Sequence, residues 1–407
     1  MQARQMAARA ALAAVTLTLL LAGAAGAETT PLQAQSEEGI LVFASPDEQF
    51  KWWLDIRVNL DGTFFVEDKN PLGDGVQLRR ARLGLKTVLW RDWYAEIDVD
   101  FAEEAVAMKD VYVRYDNLFG RTAYVRAGNF REPFGLEENT TSRCLLFPER
   151  SQGLDGFVPG RKMGLEGAVF KPQFRVAAGV FGPDVTDFET EAQDMVWNFT
   201  GRVNCNALRT ENSVLHFGVA GSLRQPQFDS GSLRFRTRNE YHVNNYKYVD
   251  TDNIAHVDRY NQGAIELAGV KGPVRVQGEY CSVGVDRAKE YQDLVFKGGY
   301  VCASLFLTGE THPYDWRAAE FGRVVPKHKI GAWELVTRYS LVDMTDHDVL
   351  GGESTALSLG LNWYANANVK VYLDYVMVDN DENANAKGAL VGDDDFQFFL
   401  FRLQTAF

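Results

Sequence analysis

From residue 50 to the last residue, apolar and polar side chains alternate almost without pause, and helical spacing is hard to find. Ala95, Ile97, Val99 and Phe101 share one face of a stretch whose other face carries Tyr94, Glu96, Asp98 and Asp100. Arg80, Arg82 and Lys86 lie opposite Ala81, Leu83 and Leu85, and Leu357, Leu359, Leu361 and Trp363 lie opposite Ser358, Gly360, Asn362 and Tyr364. Side chains of an extended chain point alternately to its two faces, so each such run predicts a two-faced strand. The pattern predicts strands near 50–67, 76–90, 93–104, 107–118, 122–134, 162–170, 174–183 and 196–209. A second set follows near 214–225, 260–271, 274–287, 294–308, 330–344, 354–365, 368–379 and 396–407. That is about sixteen, an even number, with strands of about 9–12 residues, the length a tilted strand needs to cross a bilayer.

The connections sharpen this picture. Short joins fall at 90–93, 171–173, 272–273 and 366–367, and long ones near 135–161, 184–195, 226–259 and 380–395. Alternating short turns and long loops is the periplasmic and extracellular asymmetry of an outer-membrane barrel. Trp52, Trp53, Trp90, Trp93, Trp197, Trp333 and Trp363 can supply aromatic girdles. The last strand alternates Phe399, Phe401, Leu403 and Thr405 with Phe398, Leu400, Arg402 and Gln404, and it stops on Phe407. Such an end resembles the signal read by the barrel-assembly machinery, an expected partner. The fold class expected is therefore all-β, a transmembrane antiparallel barrel whose outer wall meets outer-membrane lipid. A barrel of this size leaves an aqueous lumen, which explains how the chain carries 24% charged residues.

The first residues set the compartment. Residues 1–27 read as a signal peptide: Arg4 and Arg9, an apolar run from Ala10 to Ala22, and the small residues Ala25-Gly26-Ala27 before a cut. Residues 28–49 read as a short polar tether, and 50–407 as the barrel domain. The four cysteines (Cys144, Cys205, Cys281 and Cys302) are too few for a disulfide-built fold. Cys281 and Cys302, on neighbouring predicted strands, are the expected pair if one forms, and four separate thiols fit as well. The six histidines are dispersed without metal-ligand spacing, and no carboxylate pair stands out in a cleft. No catalytic residue, metal, cofactor or nucleic-acid partner is expected, and the chain does not read as an enzyme.

One stretch runs against the acidic formal charge of −13. In Leu233-Arg234-Phe235-Arg236-Thr237-Arg238 an extended chain puts Arg234, Arg236 and Arg238 on one face. Arginine keeps its proton and presents a planar fork of donors suited to phosphate or carboxylate. An exposed ribbon of solvated charges fits the same local pattern.

Several segments, in order, resemble the phosphate-selective porin family of the O and P type. They are Leu78-Arg79-Arg80-Ala81-Arg82-Leu83, the run from Ala127 to Glu137, Phe147-Pro148-Glu149-Arg150-Ser151, and Phe306-Leu307-Thr308-Gly309-Glu310 with His312-Pro313-Tyr314-Asp315. The run from Gly331 to Ser340 and Leu361-Asn362-Trp363-Tyr364 complete the set. The resemblance implies a homotrimer of sixteen-stranded barrels passing inorganic phosphate or related anions. It also implies a third loop folded into the lumen and an arginine ladder, here Arg234, Arg236 and Arg238. The next rung is His242, weaker or pH-sensitive, with Arg259 a continuation. Arg79 and Arg80 match a basic pair, of which the strand phase selects Arg80 to point inward. The constriction loop is expected near 136–161, with Arg143, Arg150, Arg161 and the following Lys162, and Arg150 at the narrowest point. Lys327 and Lys329 are the expected periplasmic basic cluster, near Arg317 and Arg323. Glu137-Glu138-Asn139-Thr140-Thr141 stands where the family begins its constriction with a lysine, and Asp98 and Asp100 face the lumen. Alternative readings are a general diffusion porin, with Tyr364 and Tyr372 on a sugar path, and a non-conducting structural or adhesive barrel.

Overall fold

The computed structural model describes residues 32–37, 40–102, 106–185, 195–210, 212–227 and 231–407; the expected signal peptide lies outside the described residues. The first eight barrel strands are β1 (Lys51–Val66), β2 (Gly75–Leu89), β3 (Trp93–Asp100), β4 (Ala107–Leu118), β5 (Ala123–Arg131), β6 (Arg161–Lys171), β7 (Phe174–Phe181) and β8 (Asn198–Thr210). The second eight are β9 (Ser213–Arg224), β10 (Val257–Lys271), β11 (Val274–Arg287), β12 (Leu294–Phe306), β13 (Ala332–Asp346), β14 (Val349–Tyr364), β15 (Val369–Asn380) and β16 (Gln397–Ala406). All neighbours are antiparallel, and β16 pairs with β1, so the sheet closes. Each strand overlaps one predicted from the alternation, because a wall with lipid outside and water inside forces period two on every strand.

The seam shows how the two faces work. Outward-facing Phe399 and Phe401 stay exposed, while inward-facing Arg402 grips Asp61 of β1 through two hydrogen bonds of 2.6 Å. At the end that carries the short turns, Trp90 and Trp93 are exposed and Trp333 stacks on Trp363 at 5.7 Å. Trp197 is exposed at the opposite end. Within the expected tether, Gln33–Glu37 and Ile40–Ala44 pair as a hairpin, and Val42–Ala44 add to the foot of β1.

Two loops turn inward. The loop 132–160 between β5 and β6 carries two single helical turns, α1 (Leu136–Asn139) and α2 (Gln152–Asp155). Its Phe134, Leu154 and Phe157 join a core with Phe235, Tyr241 and Tyr248 of the loop 225–256 between β9 and β10. That core also takes inward-facing Val283 and Val285 of β11, Phe296 of β12, Val376 and Val378 of β15, and Phe398 and Leu400 of β16. The loop reaches the wall only because glycines meet there: a Cβ on Gly298 would lie 2.1 Å from the carbonyl oxygen of Gly153. One half of the lumen is thus filled with apolar packing, and the half against β2–β6 stays polar.

Two connections depart from the expected alternation of lengths. The segment 307–331, on the short-turn end, is long and folds into the barrel as a small hairpin of Tyr314–Asp315 and Glu320–Phe321. Tyr314 Oη meets His216 Nδ1 at 2.6 Å, Arg202 donates to the Ala319 carbonyl at 3.2 Å, and fully buried Phe321 sits 3.5 Å beneath the Arg275 guanidinium. At the opposite end β13 and β14 run on to a two-residue turn at His347 and Asp348, where His347 adopts φ 48°. Of the two cysteine readings, four separate thiols is the one found: in register Cys281 faces Gly298 and Cys302 faces Gln277, and all four thiols are free.

Candidate functional site

Among the described residues, the polar half of the lumen holds two chambers that share lining residues. The upper, on the long-loop side, has a volume of about 200 Å³; the lower, toward the short turns, about 490 Å³. Arg131 and Arg161 line both.

The upper chamber is lined by seven arginines and lysines (Arg79, Arg80, Arg82, Lys109, Arg131, Arg150 and Arg161), the imidazole of His242, and one carboxylate, Asp100. Regular alternation allows only one of Arg79 and Arg80 to face inward. The register between β1 and β2 slips at Asn59 and Leu60, which pair with Arg80 and Leu78, so Arg79 is the extra residue of a bulge. Both arginines therefore reach Glu149, Arg79 with a bidentate grip at 2.9 and 3.1 Å and Arg80 at 3.4 Å. Arg80 is inward as expected, and Arg79 joins it. Arg82 is held by Asp100 at 2.7 Å.

The third loop is inside the barrel as expected, but its residues divide the work differently. Arg150 does line the upper chamber, yet its guanidinium is tied to the carbonyls of Glu137, Glu138 and Thr140 and paired with Glu138 at 2.9 Å. These contacts hold the loop in shape, and Arg131 and Arg161 join Arg150 in lining the chamber. Glu138 also pairs with Arg131 at 2.9 Å, and Asp110 holds Arg161 at 2.6 Å. Arg143 pairs with Asp55 and lines a small cavity near the short-turn end together with Arg323 and Lys370. Lys162 sits opposite Phe130 on β6 and is outside both chamber linings.

In the lower chamber Arg57, Lys86, Arg91, Arg114, Arg121, Arg126 and Arg175 are joined by Arg317 of the inward hairpin. Six carboxylates interleave: Glu96, Asp98, Asp110, Asp116, Asp315 and Glu320. Glu96, Asp98 and Asp110 come together with ligand oxygens within 4.8 Å of one another. Lys86, 3.3 Å from Glu96, and Arg161, on Asp110, balance that cluster, so it offers a cation little net attraction. Buried guanidinium N–H groups along both chambers have no protein acceptor: Arg80 Nε and Arg82 Nη1 above, Arg57 Nε, Arg126 Nε and Arg175 Nε below.

The arginine row keeps its predicted alternation, with Phe235 and Thr237 buried beneath exposed Arg234 and Arg236. Arg234 is spent on Asp250 through bonds of 2.6 and 2.8 Å. Arg236 lies opposite Asp250 in register. Arg238 reaches the rim of the upper chamber, where its field acts on His242 together with those of Arg79 and Glu149. Burial, with Arg79 next, pushes the His242 imidazole down to about 3, so this rung is neutral and is no switch near neutral pH. Lys247, which sequence reading passed over, stands beside Arg236 and Arg238; burial first and then those two guanidiniums push it down to about 8. Arg259 does not continue the row. Its strand phase turns it to the outer wall, where it is exposed and paired with Asp286 at 2.5 Å.

Lys327 and Lys329 are exposed on the segment 307–331, and Lys327 bonds to the Gly309 carbonyl at 3.3 Å. Neither lines a chamber; that segment contributes Arg317 instead. Tyr364 and Tyr372, expected on a sugar path, are buried, and the ammonium of Lys370 sits over their rings at 4.4 and 3.9 Å.

Residues 53–407 match the model of a family described as phosphate-selective porin O and P. The chain is 27% identical over 91% of its length to Porin O of Pseudomonas aeruginosa, with 91% of that protein covered. It is 26% identical to an uncharacterised protein of Caulobacter vibrioides, over 86% of this chain and 73% of that one. Among solved structures, an anion-selective porin from Comamonas acidovorans superposes with a TM-score of 0.53, covering 88% of this chain and all of that chain at 14% identity. OmpT of Vibrio cholerae in a trimer form gives 0.53 at 11% identity over 88% of this chain and 99% of that one.

Proposed function

This chain belongs to the phosphate-selective porin O and P family, a channel of the Gram-negative outer membrane and not an enzyme, and we propose that it conducts anions passively, with phosphate favoured. One observation carries the reading: among the described residues, the upper chamber is lined by seven cationic side chains and one carboxylate, Asp100. An anion entering so narrow a space loses part of its hydration shell, and the desolvation cost wins unless replacement donors are already in place. The guanidinium groups of Arg80 and Arg82, which line the upper chamber, and of Arg57, Arg126 and Arg175, which line the lower, are such donors. A series of sites, each also shared with Glu149, Asp100, Glu138 or Asp110, lets an ion step inward without being trapped. Arg236, Arg238 and Lys247 gather anions at the mouth. Export through the signal peptide, insertion through the strand ending at Phe407, contact with outer-membrane lipid, and assembly as a homotrimer complete the proposal.

Reversal potential across a planar bilayer under a salt gradient tests it, followed by phosphate added to chloride. Anion preference with chloride current blocked by phosphate is expected. Cation preference would mean that the lumen carboxylates dominate and would overturn the reading.

A further inference from the structure

The two chambers differ in size and in chemistry. The upper, at about 200 Å³, is lined by charge and has no aromatic ring other than the His242 imidazole. The lower, at about 490 Å³, falls inside the roughly 300–1,000 Å³ of pockets that take small organic molecules. Tyr112, Tyr124 and Phe170 line it. The guanidinium of Arg126 stands 5.6 Å from the Tyr112 ring and 5.9 Å from that of Tyr124, and the guanidinium of Arg114 is 5.2 Å from Tyr124. Tyr124 and Phe170 rings meet at 6.0 Å. Arg175, which is 4% exposed, donates to Tyr124 Oη at 2.8 Å, and the buried Glu166 carboxylate is shared by the two arginines, 2.8 Å from Arg126 and 3.7 Å from Arg175.

Inorganic phosphate has no use for rings. An ester that carries a phosphate at one end and a flat or apolar body at the other satisfies both halves of this lining at once. We propose that the lower chamber is a binding site for organic phosphate monoesters, the phosphate held by Arg126 and Arg175 with Arg114 beside it, and the organic body laid on Tyr112, Tyr124 and Phe170. The inference rests on the anion-channel reading and narrows its substrate class. Bare phosphate passes the small upper chamber and this one alike, whereas an ester dwells in the lower one.

The test uses the purified full-length channel in planar bilayers, with inorganic phosphate, methyl phosphate and phenyl phosphate each titrated against chloride current. Phenyl phosphate is expected to halve the current at a concentration about tenfold below the other two. In the paired variant Tyr112→Leu, Phe170→Leu, the three are expected to converge. Equal potency of the three anions in the unmodified channel, which needs no variant to fold, would overturn the proposal, as would a phenyl preference that survives in the variant. Failure of all three to block would overturn the anion reading beneath it.

Discussion

The loop row of Arg234, Arg236 and Arg238 and the wall row of Arg79, Arg80, Arg82, Lys109, Arg131 and Arg161 are both lines of cations, but they are built for different tasks. In the loop row Arg236 faces water, Arg234 is exposed and occupied by Asp250, and Arg238 is half-buried. The wall row is buried at Arg80 and Arg82 and half-buried elsewhere, lines a narrow chamber, and pairs its arginines with Glu149, Asp100, Glu138 and Asp110. Charge in high dielectric attracts ions over a distance and is screened by salt, whereas charge in a dry, narrow space replaces a hydration shell. On the proposed reading the loop row collects anions, and the wall row selects among them.

Removing the wall is the largest expected effect. Arg80→Gln with Arg82→Gln weakens phosphate block of chloride current by about a hundredfold, since charge-assisted hydrogen bonds carry it. Replacing Arg234, Arg236 and Arg238 together with alanine lowers anion capture by about tenfold at low ionic strength. That loss fades toward about 1 M salt, where screening shortens to about 3 Å, and conductance measured across a salt series separates the two rows. A smaller effect of opposite sign is expected at Glu138. Glu138→Gln frees Arg131 and Arg150 from their shared partner, so phosphate blocks at roughly threefold to fivefold lower concentration and leaves more slowly. The smallest effect is on pH. Lys247, pushed down to about 8, is charged below that pH and loses its charge as pH rises through it. Anion capture at low salt thus declines by less than about twofold between about pH 7 and about pH 9, and Lys247→Met abolishes the decline. His242, pushed down to about 3, contributes nothing in that window.

The strands were legible because lipid outside and water inside impose the same period on all sixteen. What the reading missed came from places where that rule is locally suspended. A single bulge put Arg79 beside Arg80, and no period predicts a bulge. Arg150 was chosen from its position in the loop, yet a loop arginine surrounded by its own carbonyls is used up by them. Arg131 lies inside the run from Ala127 to Glu137, and no residue of that run marks which way its side chain points. One available signal lies at the long-loop ends of β11, β15 and β16, which are apolar on the inward face as well, as in Val283, Val285, Val376, Val378, Phe398 and Leu400. An inward face that is apolar needs a cover, and the two inward loops supply it. The same comparison with β2–β6, whose inward faces are charged, locates the open path from sequence alone.

The most direct test of the division between rows is phosphate block at high salt, compared between the Arg80→Gln, Arg82→Gln channel and the channel lacking Arg234, Arg236 and Arg238. Block lost in the first and retained in the second is the predicted result. Block lost in the loop variant, with the wall variant unaffected, would contradict it and place selection in the loop.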